Sequence, residues 1–161
     1  MHNFKISAYL KGIILISLIS LTSAFYIEYV LGHKPCNLCL IQRIPYVISI
    51  VLIILNHVLK KDEYFTILLL ILTFSFSLIM SSYHFGIEQG FFEESAVCGL
   101  KDASSILSKE ELLKQLQIKT VSCKDVTFRI FGLSLTSINI FISLILTILL
   151  TKTFIFYEKF R

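Results

Sequence analysis

The chain has no tryptophan, only two prolines and six glycines in 161 residues, and only 16% charged residues. Soluble domains carry about 25% charged residues, so this composition cannot cover a water-facing surface. Scarce proline and glycine leave no flexible linker, and there is no internal repeat or low-complexity tract; a disordered chain is excluded. The formal net charge of +4 is too mild for a basic nucleic-acid binder. Four cysteines are too few for a disulfide-stapled miniprotein. What the chain holds instead is apolar. Hydrophobic residues make up 55%, with 14 Phe and 7 Tyr, and the mean hydropathy is +0.79. These values indicate an integral membrane protein.

Four apolar runs carry that character: Gly12 to Leu31, Ile44 to Leu59, Tyr64 to Phe85 and Ile130 to Thr151. Glu28 is the only formal charge within them. A helix rising about 1.5 Å per residue needs roughly 20 residues to cross the hydrocarbon core. The second run is short, but Leu38 to Gln42 extend it if Arg43 snorkels toward the headgroups. In lipid only helices and closed barrels satisfy the backbone, and runs this continuous are helices. The expected fold is an all-α membrane protein, a single domain over 1–161. Its four-transmembrane-helix bundle has spans near 12–31, 40–59, 64–85 and 130–151. Lys5, Lys11 and Thr22-Ser23-Ala24 have the look of a cleavable leader. The apolar stretch nevertheless runs on to Leu31, so residues 1–24 are expected to be retained in a span.

Spans alternate sides, so the loops after the first and third share one membrane face. The termini and the Lys60-Lys61-Asp62-Glu63 turn share the other. Outside the apolar runs, the terminal side sums to +4 and the loop side to +1. With its basic residues close to the spans, the terminal side is expected to be cytoplasmic. In the long second loop, Ser104 to Ile118 is expected to form a short amphipathic helix. Ser108-Lys109-Glu110-Glu111 fits a capping box, and Leu112, Leu113 and Leu116 share one face.

All four cysteines lie in the two same-side loops: Cys36 and Cys39 in the first, Cys98 and Cys123 in the second. Whatever the orientation, both pairs can meet; with cytoplasmic termini they face an oxidising compartment. Pro35-Cys36-Asn37-Leu38-Cys39 places a Cys-x-x-Cys unit where the second helix begins. Ring closure across two residues is entropically cheap, and a thiolate at a helix N-terminus is stabilised by free amides. Arg43 follows Cys39 by four residues, so an unbroken helix puts both on one face. That pairing marks Cys39 as the expected thiolate and electron donor. A lone Cys-x-x-Cys also fits half a zinc site, with Cys98, Cys123, His33 or His84 completing the ligands, or an inert structural bridge.

The run Tyr29-Val30-Leu31-Gly32-His33-Lys34-Pro35-Cys36-Asn37-Leu38-Cys39-Leu40-Ile41-Gln42-Arg43-Ile44-Pro45-Tyr46 closely resembles the first periplasmic loop of the DsbB family, the bacterial disulfide bond formation protein B. Ser82-Tyr83-His84-Phe85-Gly86-Ile87-Glu88-Gln89-Gly90 resembles the stretch leaving that family's third span. Phe131-Gly132-Leu133-Ser134-Leu135 resembles the start of its fourth. The resemblance implies a thiol:quinone oxidoreductase of the bacterial inner membrane with both cysteine loops in the periplasm. A reduced periplasmic DsbA-like oxidase of thioredoxin fold would attack a Cys98–Cys123 disulfide, forming a mixed disulfide at Cys98. Electrons would pass to Cys36–Cys39, and Cys39 would deliver them to a quinone, ubiquinone or menaquinone. Arg43 would orient the quinone and His84 would lie near its head. No metal and no nucleic acid enter this scheme.

The chain departs from the family in two places. Prolines often precede the third cysteine in the family, whereas Phe91 to Val97 here contain none. Gln42 is uncharged where some relatives carry an acid, and it receives no role. His33, Arg129 and Asn139 read as structural, and Glu28 as interfacial with a possible charge role near the redox pair. The vitamin K epoxide reductase-like group also joins four spans to two cysteine pairs, but its Cys-x-x-Cys comes late in the chain. The alternative from another class is a non-enzymatic membrane assembly or transport subunit with structural disulfides or a zinc site.

Overall fold

A computed structural model describes residues 2–59, 63–93, 122–124, 128–130 and 132–159. Its elements are helix α1 (His2–Tyr29), α2 (Asn37–Ile41), α3 (Ile44–Leu59), α4 (Glu63–Glu88), strands β1 (Arg129–Ile130) and β2 (Leu133–Ser134), and helix α5 (Leu135–Lys159). Four segments are long and apolar enough to cross a membrane: Ala8–Tyr29, Asn37–Leu59, Glu63–Glu88 and Leu135–Phe156. The expected all-α, four-span architecture is present. The amphipathic helix expected over 104–118 lies outside the described residues.

Three of the boundaries that differ from the expected spans have a local reason. The first helix ends at Tyr29 rather than Leu31. Gly32 takes φ 74°, a conformation that glycine adopts without a Cβ penalty, and the His33 amide closes back on the Ile27 carbonyl at 3.2 Å. The second span is two helices with a break at Gln42 and Arg43. Pro45 has no N–H, and its ring crowds the carbonyl four residues earlier, so an unbroken helix through Ile41 is disfavoured. The fourth helix starts at Leu135 rather than Ile130, because β1 and β2 pair antiparallel with Arg129 opposite Ser134. Gly132, at φ 83°, forms that hairpin's turn. Ser134 then caps α5, its hydroxyl accepting the Ser137 amide at 3.2 Å.

The spans touch one another through a narrow seam. Leu70 and Phe74 of α4 are fully buried, packed with Ile53 and Tyr46 of α3 and Leu146 of α5. Small hydroxyl residues let helices approach closely and bond across the seam. Ser17 meets Ser49 at 2.9 Å between α1 and α3, and Ser77 meets Ser143 at 2.9 Å between α4 and α5. Outward, large apolar side chains such as Leu15, Val51, Ile79 and Phe141 stand exposed, as lipid-facing surfaces require.

Candidate functional site

The Pro45 break sets the site's layout. Cys36 is the N-cap of the five-residue helix α2, and its sulfur accepts the Cys39 amide at 3.4 Å. One helical turn brings the two sulfurs to 2.9 Å, and both thiols are free. Cys36 is only 6% exposed, whereas Cys39 is half-buried. His84, in the last turn of α4, places Nε2 3.5 Å from Cys36 Sγ. Cys123 joins the same buried cluster as Cys36, Leu38 and Ile87, and it is disulfide-bonded. The expected meeting of the two cysteine loops is therefore realised for Cys123. Cys98 lies outside the described residues.

The Cys36 thiol is lowered from 9.0 to about 4. The main cause is the hydrogen bond from Cys39; His84 and the Cys39 amide add to it, while burial acts in the opposite direction. Arg43, expected beside Cys39, lines the same cavity as Cys39. It donates to Glu28 at 2.5 Å and stands 5.2 Å from the Phe25 ring, both on α1. Glu28 is thus the partner of Arg43, more specific than an interfacial residue.

Around His84 lies a polar network that the sequence reading did not contain. Gln42 Nε2 is 2.9 Å from His84 Nδ1, and Asn139 donates to Gln42 Oε1 at 3.1 Å. Tyr46 donates to Asn139 Oδ1. Thr136 lies 3.2 Å from His84 Nδ1 and donates to Glu88 Oε1 at 2.5 Å. One signal was available: Glu88 follows His84 by four residues, hence on the same helix face. Nothing in the linear sequence links Gln42 to residues 42 and 97 positions away.

These groups line a cavity of about 290 Å³ between the α1 and α5 ends. Cys36, Cys39, Arg43, His84 and Cys123 all reach its wall, together with apolar Ile19, Ile27 and Leu135. Small-molecule sites have this make-up, mostly apolar with a few converging polar groups. A mostly apolar ligand with a few polar atoms fits such a wall. Cys36, Cys39 and His84 also bring soft donor atoms within 4.8 Å of one another, an arrangement that could hold a divalent metal.

A dithiol at the end of four membrane-length helices, packed against a further disulfide-bonded cysteine, is the hallmark of membrane proteins that handle disulfides. The comparison with known families agrees. The model of the disulfide bond formation protein DsbB matches residues 8–153, and the chain belongs to that family. An uncharacterized protein of Rickettsia prowazekii (strain Madrid E) is 30% identical over 154 residues, covering 91% of this chain and 86% of its own.

Proposed function

We propose that this protein reoxidises a periplasmic dithiol oxidase of thioredoxin fold, DsbA-like, and passes the electrons to a membrane quinone. The packing of Cys123 against Cys36, on a cavity that also receives Cys39, is the observation that carries this reading. The partner's thiolate attacks Cys98 of a Cys98–Cys123 disulfide and expels the Cys123 thiolate. Cys123 attacks Cys36 of the Cys36–Cys39 disulfide and expels Cys39. The partner's second thiol then releases Cys98 as the partner's own disulfide forms. Attack of Cys98 on Cys123 restores their bond and leaves Cys36 and Cys39 as a dithiol. A free Cys36–Cys39 pair beside a disulfide-bonded Cys123 is the state this sequence leaves.

A quinone supplies an acceptor for two electrons and two protons. Cys39, half-buried on the cavity wall, faces that acceptor, while Cys36 lies deeper against His84. Arg43 presents its guanidinium to the cavity, held there by Glu28 and Phe25. Termini are cytoplasmic, and the cysteine loops sit on the periplasmic face of the inner membrane. The test is quinone reduction by the purified protein supplied with a reduced thioredoxin-fold partner.

The soft donor trio favours one second reading, a structural metal site. That reading requires stoichiometric zinc in the purified protein and no turnover.

A further inference from the structure

The direction of the hydrogen-bond chain that ends at His84 is fixed by a backbone carbonyl. The Ser81 hydroxyl gives its proton to the Ser77 carbonyl at 2.7 Å, which can only accept. Ser81 Oγ is left as an acceptor, so the Asn139 atom 2.6 Å from it must be the amide nitrogen. Asn139 Oδ1 consequently turns to the Tyr46 hydroxyl, which donates to it. The second hydrogen of Asn139 Nδ2 goes to Gln42 Oε1 at 3.1 Å. With its oxygen so engaged, Gln42 presents its nitrogen to His84 Nδ1 at 2.9 Å. An amide nitrogen only donates, so Nδ1 must be bare. In a neutral imidazole the proton then sits on Nε2, the atom 3.5 Å from Cys36 Sγ.

We propose that Gln42 is a positioning residue that sets the His84 tautomer, placing the ring proton on Nε2, aimed at the Cys36 sulfur. In the dithiol oxidation proposed above, on which this inference rests, His84 Nε2–H donates to the Cys36 thiolate. The ring thereby holds the sulfur's charge until the Cys36–Cys39 bond forms and the electron pair leaves for the quinone. Asn139 and Tyr46 act one and two steps further back, as the groups that keep Gln42 from rotating.

A competing arrangement is built from the other side. Thr136 Oγ1 stands 3.2 Å from Nδ1 and is bonded to Glu88, whose Oε1 is also 3.9 Å from Nε2. Were the proton on Nδ1, Thr136 would accept it and Glu88 would favour an imidazolium. With its proton given to Glu88, the Thr136 oxygen can only accept, so it opposes Gln42; the shorter contact, 2.9 against 3.2 Å, belongs to Gln42. A carboxylate at position 42 would reverse the balance, since it can only accept.

The experiment is 15N–1H correlation of the full-length reduced protein, labelled at histidine, in lipid nanodiscs without quinone or partner. His84→Gln identifies the signal among the four histidines. The expected spectrum shows a protonated Nε2 and a bare Nδ1 at neutral pH. Gln42→Glu, which can only accept from the ring, should put a proton on Nδ1. Asn139→Leu, which leaves Gln42 free to turn, should give a mixture of tautomers even if the Gln42 variant fails to fold. A proton on Nδ1 in the unaltered protein overturns the inference, as does a spectrum unmoved by either substitution. Because the tautomer is read without turnover, the expected spectrum in a protein that reduces no quinone would sink the proposed function alone. Turnover with a proton on Nδ1 would sink this inference alone.

Discussion

His84 Nε2 stands 3.5 Å from Cys36 Sγ, joining the last turn of α4 to the residue that begins α2 across 48 positions of sequence. α2 is a single turn whose Cys39 amide reaches the sulfur, and α4 supplies the ring. The site exists because Pro45 stops one helix and starts another.

The pH dependence of Cys36 follows from its surroundings. With a thiol lowered to about 4, the sulfur is ionised throughout the range in which an ordinary thiol, near 9.0, is protonated. In a reduced Cys98→Ala/Cys123→Ala protein, thiolate absorbance should persist as pH falls through 7 and 6. It should be lost only near 4, as the proton returns. Loss of the whole signal between pH 9 and 8 would contradict the geometry. His84→Ala should move the transition upward, because it removes one of the stabilising hydrogen bonds.

Arg43 and Glu28 form a pair whose side chains are 16% and 21% exposed. Removing one partner strands a mostly desolvated charge, so Arg43→Gln or Glu28→Gln should each cost about 1–3 kcal/mol of stability. The double variant should cost less than the two singles together, a coupling that a thermal-unfolding double-mutant cycle reads directly. Strict additivity would show that the pair contributes nothing.

Because Arg43 lines the cavity, Arg43→Ala should raise the quinone concentration needed for half-maximal turnover more than the partner concentration. Equal changes in both would remove Arg43 from the acceptor's side of the cavity.

A partner lacking its second thiol should be trapped. With nothing to release Cys98 after attack on the Cys98–Cys123 disulfide, a Cys98–partner mixed disulfide should accumulate on non-reducing electrophoresis. Absence of that adduct would contradict the assigned order of exchange.

Membrane-impermeant thiol reagents should label the reduced cysteines from one face only. Labelling split between faces would refute the four-span parity and the shared cysteine face.

Much of this was legible in the sequence. Spans of lipid-facing Leu, Ile, Val and Phe announce themselves by length, and parity leads to the expectation that all four cysteines share one face. The Cys-x-x-Cys and its proximity to a helix start were readable too. The interruption of the second span was not read, although Pro45 was the signal for it. The fourth span's start was missed because Arg129 to Ser134 spend their backbone on a two-residue hairpin, which Gly132 permits. Gln42 and Asn139 look inert in sequence. Their contacts with His84, Ser81 and each other join three helices, a relation that no local pattern encodes. Glu28 was legible as unusual, a charge inside an apolar run, but its partner was not.

The central claim is that the Cys36–Cys39 dithiol hands electrons to a lipid-soluble acceptor while a soluble dithiol is oxidised. The most direct measurement mixes purified protein in nanodiscs with a reduced thioredoxin-fold partner and a quinone, following quinone absorbance and partner thiols together. The account predicts that quinone and partner dithiol disappear in equal amounts, and that Cys36→Ala or Cys39→Ala abolishes both. Bound zinc in stoichiometric amount with no quinone consumed would contradict it.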